Sequence, residues 1–69
     1  MIRPDCEVRT ERGWTLYLAP WMDGYVYEWR DRKDKSDILC RGWESGTSSQ
    51  VMRFAEWEFA EVMEAEGVI

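Results

Sequence analysis

Histidine, the side chain most used for proton transfer near neutral pH, is absent from this sequence. Cys6 and Cys40 therefore have no imidazole to activate them as nucleophiles, and every His-based triad is excluded. The 14 acidic residues leave a paired-carboxylate hydrolase formally open, but a small one-helix domain offers little concave volume for a substrate. We predict that the chain is not an enzyme and uses no cofactor.

Two groups of residues have the chemistry of metal ligands but not the spacing. Cys6 and Cys40 are 34 positions apart, which matches no zinc motif. The segment 31–37 contains three aspartates, but Lys33 and Lys35 stand where an EF-hand needs oxygen ligands. We predict no metal site, and we expect the two cysteines to be reduced thiols rather than a disulfide. Whether they lie close in space cannot be read from their spacing.

Length and composition limit the architecture. The 69 residues leave room for one small domain, which we expect to span residues 1–69. Hydrophobic residues make up 45% of the chain and aromatic residues 14%, which is enough to build a core. The N-terminus lacks the apolar run of a secretory signal, and no stretch is apolar for the length of a membrane span. We expect a protein of the bacterial cytoplasm, that of its producer or its host, without membrane contact.

The charge balance bears on the partners. Nine basic and 14 acidic residues give a net charge of −5. Nucleic-acid binding depends on neutralising phosphates with Lys and Arg, so direct nucleic-acid binding is disfavoured. A protein with a basic surface, alone or in a complex with nucleic acid, is the more natural partner.

Alternating apolar and polar residues predict strands in the first two thirds of the chain, and a helical pattern follows. We place strands at about 6–10, 14–19, 25–30 and 38–43, and a helix at about 48–66. Short connections predict an antiparallel meander. Gly13 could make either a turn or a bulge, so three and four strands both remain open. The predicted fold class is α+β, with the C-terminal helix packed on one face of the sheet.

The helix has a defined start and a defined apolar face. Thr47 and Gln50 fit a capping box, and Gly67 fits the position just after a helix. The apolar positions fall on one stripe, which must face the sheet. They are Val51, Met52, Ala55, Phe59, Val62 and Met63.

The rest of the helix surface supplies the first candidate contact residues. Trp57 lies well outside the apolar stripe, and Phe54 lies at its margin. An exposed tryptophan is either an interface anchor or is covered by another segment of the chain. The helix also carries Glu56, Glu58, Glu61 and Glu64. These carboxylates form either a solvated face or an anionic strip that stands in for a nucleic-acid backbone in a basic groove.

The sheet face away from the helix supplies the second set. Depending on register, it presents Tyr17, Arg41 and Trp43. Such a face can form a dimer interface, contact another protein, or stack bases. Pro20 is predicted to end the second strand, and Asp23 and Gly24 are predicted to form the turn that follows it. Trp21 and Met22, beside this turn, either tuck over the core edge or are exposed for contact.

The layout resembles a class of small proteins from bacteriophages and mobile elements. The resemblance rests on Tyr25–Arg30, on Gly46–Ser49, and on a helix with alanines at positions 55, 60 and 65. Some of these proteins are anti-CRISPR or other anti-defence inhibitors that bind stoichiometrically to nucleic-acid-handling complexes, in some cases by imitating DNA with carboxylates. The likeness is one of size, acidity and layout, so it transfers no site residue.

We therefore predict a non-catalytic protein-binding module, and specifically an inhibitor of a host nucleic-acid-handling defence complex such as a CRISPR effector. Trp57 and Phe54 would anchor the contact and the helix glutamates would supply charge. Two alternatives remain. One is a small structural or regulatory subunit that self-associates through its open sheet face. The other is a single-strand nucleic-acid binder that uses sheet aromatics with Arg30 and Arg41.

Overall fold

The computed structural model describes residues 6–66, which form four β-strands followed by one α-helix. The elements are β1 (Glu7–Glu11), β2 (Trp14–Trp21), β3 (Gly24–Asp31), β4 (Ile38–Ser45) and α1 (Ser48–Ala65). The strands pair antiparallel in chain order, β1-β2-β3-β4, and α1 packs on one face of the sheet. The predicted α+β fold is confirmed, with four strands rather than three. No helix within residues 6–66 has both the length and the apolar character needed to cross a membrane.

The turns explain why there are four strands. Arg12 and Gly13 both have positive φ, 54° and 84°, and they connect the paired residues Glu11 and Trp14. Two consecutive left-handed residues are typical of a tight hairpin turn. Gly13 therefore reverses the chain instead of forming a bulge within one strand.

Two predicted boundaries around the second hairpin are wrong. Pro20 does not end β2, which continues to Trp21. Pro20 is tolerated because, among residues 6–66, β1 pairs with β2 only as far as Tyr17, so no described strand needs an N–H from Pro20 on that side. The turn itself consists of Met22 and Asp23, because Trp21 already pairs with Gly24.

Gly24 has a different role from the one expected of a turn glycine. A Cβ added there would lie 2.0 Å from the backbone oxygen of Glu44 in β4. The position needs glycine because two strands approach closely. Met22, with φ of 58°, accepts the left-handed conformation instead, which costs about 1 kcal/mol for a residue with a side chain.

The core lies between α1 and one face of the sheet. Leu16, Leu18, Tyr27 and Trp29 come from the sheet, and Val51, Ala55, Phe59 and Met63 come from the helix. The Trp29 ring stacks on Phe59 with ring centroids 4.1 Å apart, and its Nε1 donates to the Ala55 carbonyl over 3.0 Å. The predicted apolar stripe is therefore confirmed as the helix face that is buried.

The start of α1 is as predicted. Gly46 has φ of 121° and turns the chain out of β4. The Thr47 side chain then accepts from the Gln50 backbone N–H, and the Gln50 side chain accepts from the Thr47 N–H. This reciprocal capping box satisfies two backbone donors that the first turn leaves without partners. The predicted C-terminal Gly67 lies outside the described residues.

Candidate protein-binding surface

Two aromatic and two acidic side chains share one stripe of α1. We call Phe54, Trp57, Glu58 and Glu61 the edge stripe, since they are spaced i, i+3, i+4 and i+7 and lie next to one another on a helix. Trp57 is 59% exposed and Phe54 is 37% exposed. Their ring centroids are 5.8 Å apart. The stripe therefore presents two neighbouring aromatic rings to solvent, with carboxylates beside them and the exposed Arg53 four positions before Trp57.

Contacts with Tyr27 place the edge stripe above β4. The Phe54 ring lies 6.0 Å from the Tyr27 ring, and the Tyr27 hydroxyl donates to the Glu58 carboxylate. Tyr27 pairs with Gly42 of β4, and a Cβ at position 42 would lie 2.5 Å from the Tyr27 hydroxyl oxygen. Glycine at this position lets the phenol pass over β4 to reach the helix. The edge stripe is thereby fixed along the outer strand of the sheet.

Glu58 gives this region a negative potential. Burial raises the pKa of Tyr27 well above its usual value, and the hydrogen bond to Glu58 and its charge raise it further. Burial also raises the pKa of the Cys40 thiol to about 11, again with a contribution from the Glu58 charge. At neutral pH Cys40 is therefore a protonated thiol rather than a nucleophilic thiolate.

The acidic residues of α1 are not arranged to stabilise the helix. A helix is stabilised by acidic residues near its N-terminus and basic residues near its C-terminus. The first turn of α1 has no acidic residue and the last turn has no basic one. Glu61 and Glu64 instead lie in its C-terminal half, where the helix dipole opposes negative charge. Helix stability therefore does not explain why these positions are acidic.

The four predicted contact glutamates do not form one surface. Glu58 and Glu61 belong to the edge stripe. Glu56 lies on the opposite flank of the helix, where it pairs with Arg9 of β1. Glu64 is exposed and lies seven positions after Trp57, on the same helix face two turns further along. Three of the four thus share the helix face of the exposed aromatic rings, and Glu56 lies apart from it.

We call the sheet face away from α1 the open face. A charged cluster of Glu28, Arg30 and Arg41 lies at its centre. Glu28 is only 1% exposed. Its Oε1 accepts from Arg30 Nε over 2.8 Å and lies 2.7 Å from Arg30 Nη2, while Oε2 lies 3.0 Å from Arg41 Nη2. Both arginines are therefore engaged by one carboxylate, which reduces their capacity to neutralise phosphates. Sequence reasoning missed this role of Glu28, although its i, i+2 spacing to Arg30 places both on one strand face.

The three predicted contact residues of the open face have different environments. Tyr17 is buried, and its hydroxyl has no hydrogen-bond partner within residues 6–66. Arg41 is exposed along most of its side chain while contacting Glu28. Trp43 is partly exposed and donates from Nε1 to the Trp21 carbonyl over 3.0 Å. Of the three, Arg41 and Trp43 can reach a partner and Tyr17 cannot.

Trp21 and Trp43 form a second aromatic surface, which we call the tryptophan pair. Their rings meet edge to face with centroids 6.2 Å apart. Trp21 and the adjacent Met22 are exposed rather than tucked against the core. Trp43 belongs to β4, so exposed aromatic rings border this strand on the open face as well as on the helix side.

One of the three aspartates in the segment 31–37, Asp31, has a structural role. Asp31 accepts from the backbone N–H groups of Lys33 and Asp34, which lower the pKa of its carboxyl, and so it holds the β3–β4 loop. Within residues 6–66, no three Cys, Asp or Glu side chains are grouped as a metal site.

Cys6 precedes β1 and Cys40 lies in β4, at opposite edges of the sheet. Three strand spacings of about 4.8 Å separate these edges, which is too far for a disulfide.

Comparisons with protein-family models, with curated proteins and with solved structures give no match.

Proposed function

We propose that this chain is a non-catalytic protein-binding module, and that its partner is a protein with a basic, nucleic-acid-handling surface. The observation that carries the proposal is the edge stripe. Trp57 is 59% exposed on a helix whose other face already fills the core. Tryptophan is among the residues most enriched in binding hot spots, and adjoining exposed apolar side chains are typical of interaction sites.

The charge around the aromatic rings supports a basic partner. Glu58 and Glu61 flank Phe54 and Trp57 on the same stripe, and the whole chain has a net charge of −5. Carboxylates at the rim of an apolar contact mainly accelerate association and select a partner of opposite charge. A chain of this kind would act stoichiometrically, by occupying the surface that nucleic acid otherwise uses.

The test is capture from a nuclease-treated bacterial lysate with the intact tagged chain and three matched variants. Trp57→Ala and Glu61→Gln alter the edge stripe, while Met22→Ala removes an exposed apolar side chain elsewhere (Met22 is 78% exposed). We expect Met22→Ala to retain the captured protein. Loss of the Trp57 ring should weaken capture at least tenfold, as for a hot-spot residue. The Glu61→Gln effect should shrink as salt is added.

The same preparations distinguish the alternatives. Capture that is unaffected by Trp57→Ala contradicts the proposal. A mass that rises with concentration and no captured protein would favour the self-associating subunit. Salt-dependent binding to single-stranded oligonucleotides, lost on Arg41→Gln, would favour the nucleic-acid binder.

A further inference from the structure

The two outer strands of the sheet differ in how they are protected. β1 has five residues, three of them charged, and its register with β2 shifts between Glu7 and Arg9. Short length, charge and irregular register are the features by which proteins prevent further strands from pairing with a sheet edge. β4 has eight residues, of which only Arg41 and Glu44 are charged. β4 is the less protected edge.

The outward backbone groups of β4 can be assigned from the ladder. The Gly46 N–H donates to the Asp23 carbonyl over 3.1 Å, which makes these two a hydrogen-bonded pair. Hydrogen-bonded and non-hydrogen-bonded pairs alternate along an antiparallel ladder. The register Gly24↔Ser45, Tyr25↔Glu44, Val26↔Trp43 is regular there. The N–H and C=O groups of Arg41, Trp43 and Ser45 therefore point away from β3.

Exposed aromatic rings lie on both sides of this row of donors and acceptors. Phe54 and Trp57 project from the helix on one side, and the tryptophan pair lies on the open face on the other. A strand added about 4.8 Å beyond β4 would run between them. Its alternate side chains would point in turn toward the edge stripe and toward Trp43.

We propose that the β4 edge binds an extended segment of the partner as a fifth strand, with Lys or Arg at alternate positions on the side that faces the edge stripe. This inference rests on the proposed function and adds the mode of docking. Main-chain hydrogen bonds would supply a part of the affinity that does not depend on sequence. Trp57 would pack against the side chains of the segment, and Glu58 and Glu61 would pair with its basic residues.

Charge decides between a partner segment and a second copy of this chain. Pairing β4 with β4 of another copy would bring two edge stripes together, and with them two sets of Glu58 and Glu61. Each copy also carries a net charge of −5. A basic segment meets the same carboxylates with attraction instead of repulsion.

The experiment uses peptides selected from a random displayed library on the intact chain, then synthesised. We expect enriched peptides to carry Lys or Arg with a period of two. N-methylation removes a backbone donor without changing the side chain. It should weaken binding about tenfold or more at every second position, and little at the positions between them. Trp57→Ala should also weaken binding, whereas Val8→Ala, on the β1 edge, should not.

Several outcomes would overturn the proposal. They are failure to enrich any peptide, enrichment of acidic peptides or of a helical period, and N-methylation that is equally tolerated everywhere. A mass of the chain alone that doubles with concentration, and does so more readily at high salt, would assign the edge to a second copy. If lysate capture still depends on Trp57 while strand addition fails, the proposed function stands and only this mode of docking is wrong.

Discussion

Replacing Glu28 by Gln tests the charged cluster on the open face. Gln keeps the size of the side chain and removes its charge, so Arg30 loses its counter-ion. The Arg30 side chain is only 17% exposed, whereas that of Arg41 is 65% exposed. The two arginines should therefore depend on Glu28 to different extents.

The magnitude follows from burial. Removing one partner of a buried ion pair costs about 3–5 kcal/mol. Gln still accepts one hydrogen bond, and Arg30 also donates from Nη1 to the Lys35 carbonyl. We therefore expect Glu28→Gln to lower the free energy of unfolding by about 2–3 kcal/mol. A domain of this length has a total free energy of unfolding of about 3–10 kcal/mol, so the melting temperature should fall by about 10–20 °C. Arg41→Gln should cost less than about 1 kcal/mol, because that pair is exposed.

Urea unfolding followed by tryptophan fluorescence measures these differences directly. Glu28→Gln, Arg30→Gln and the double variant form a cycle whose coupling energy isolates the pair. We expect a coupling of at least about 1 kcal/mol. A coupling near zero, or a larger loss for Arg41→Gln than for Glu28→Gln, would refute the reasoning.

Three further predictions concern the tyrosines and Cys40. Tyr27→Phe should cost about 1 kcal/mol in urea unfolding by removing the bond to Glu58. The pKa of Tyr27 is higher in the folded state than in the unfolded state. The contribution of its protonated hydroxyl to stability is therefore complete below the unfolded pKa of about 10 and is lost as pH rises above that value. Wild-type stability should therefore fall more steeply above pH 10 than that of Tyr27→Phe. Tyr17→Phe should instead raise the unfolding free energy by up to about 1 kcal/mol, because it deletes a buried hydroxyl that has no hydrogen-bond partner within residues 6–66. Iodoacetamide should alkylate Cys40 at pH 8 at least about tenfold more slowly in the native chain than in urea, since burial raises its thiol pKa to about 11. Equal rates in the two conditions would contradict this.

Local patterns predicted most of the fold because each element has a signature of its own. Apolar residues spaced four apart, as in Val51, Ala55, Phe59 and Met63, lie on one face of a helix. They are all buried together when that face packs on the sheet. The capping box at Thr47 likewise requires residues that are near one another in sequence. Pro20 and Gly24 were misread because their roles depend on neighbouring strands. One lies where β1 has ended, and the other faces a backbone oxygen of β4.

The candidate site was predictable only in part, for the same reason. The helical period alone places Trp57 outside the core. The helical period does not reveal that Glu58 accepts a hydrogen bond from Tyr27, or that Glu56 forms an ion pair with Arg9, because these partners are distant along the chain. Tyr17 shows the limit most clearly: alternation puts it on the open face, but its burial depends on how the sheet is covered.

The unequal edges of the sheet set a limit on assembly size. A filament grows when each added strand leaves an equivalent edge for the next. Here the two ends are not equivalent, since β1 is short, charged and shifted in register, while β4 is long and nearly neutral. A strand joined at β4, as proposed, leaves β1 as it was. The proposed complex would therefore have a fixed one-to-one stoichiometry, in which the chain ends a sheet instead of propagating one.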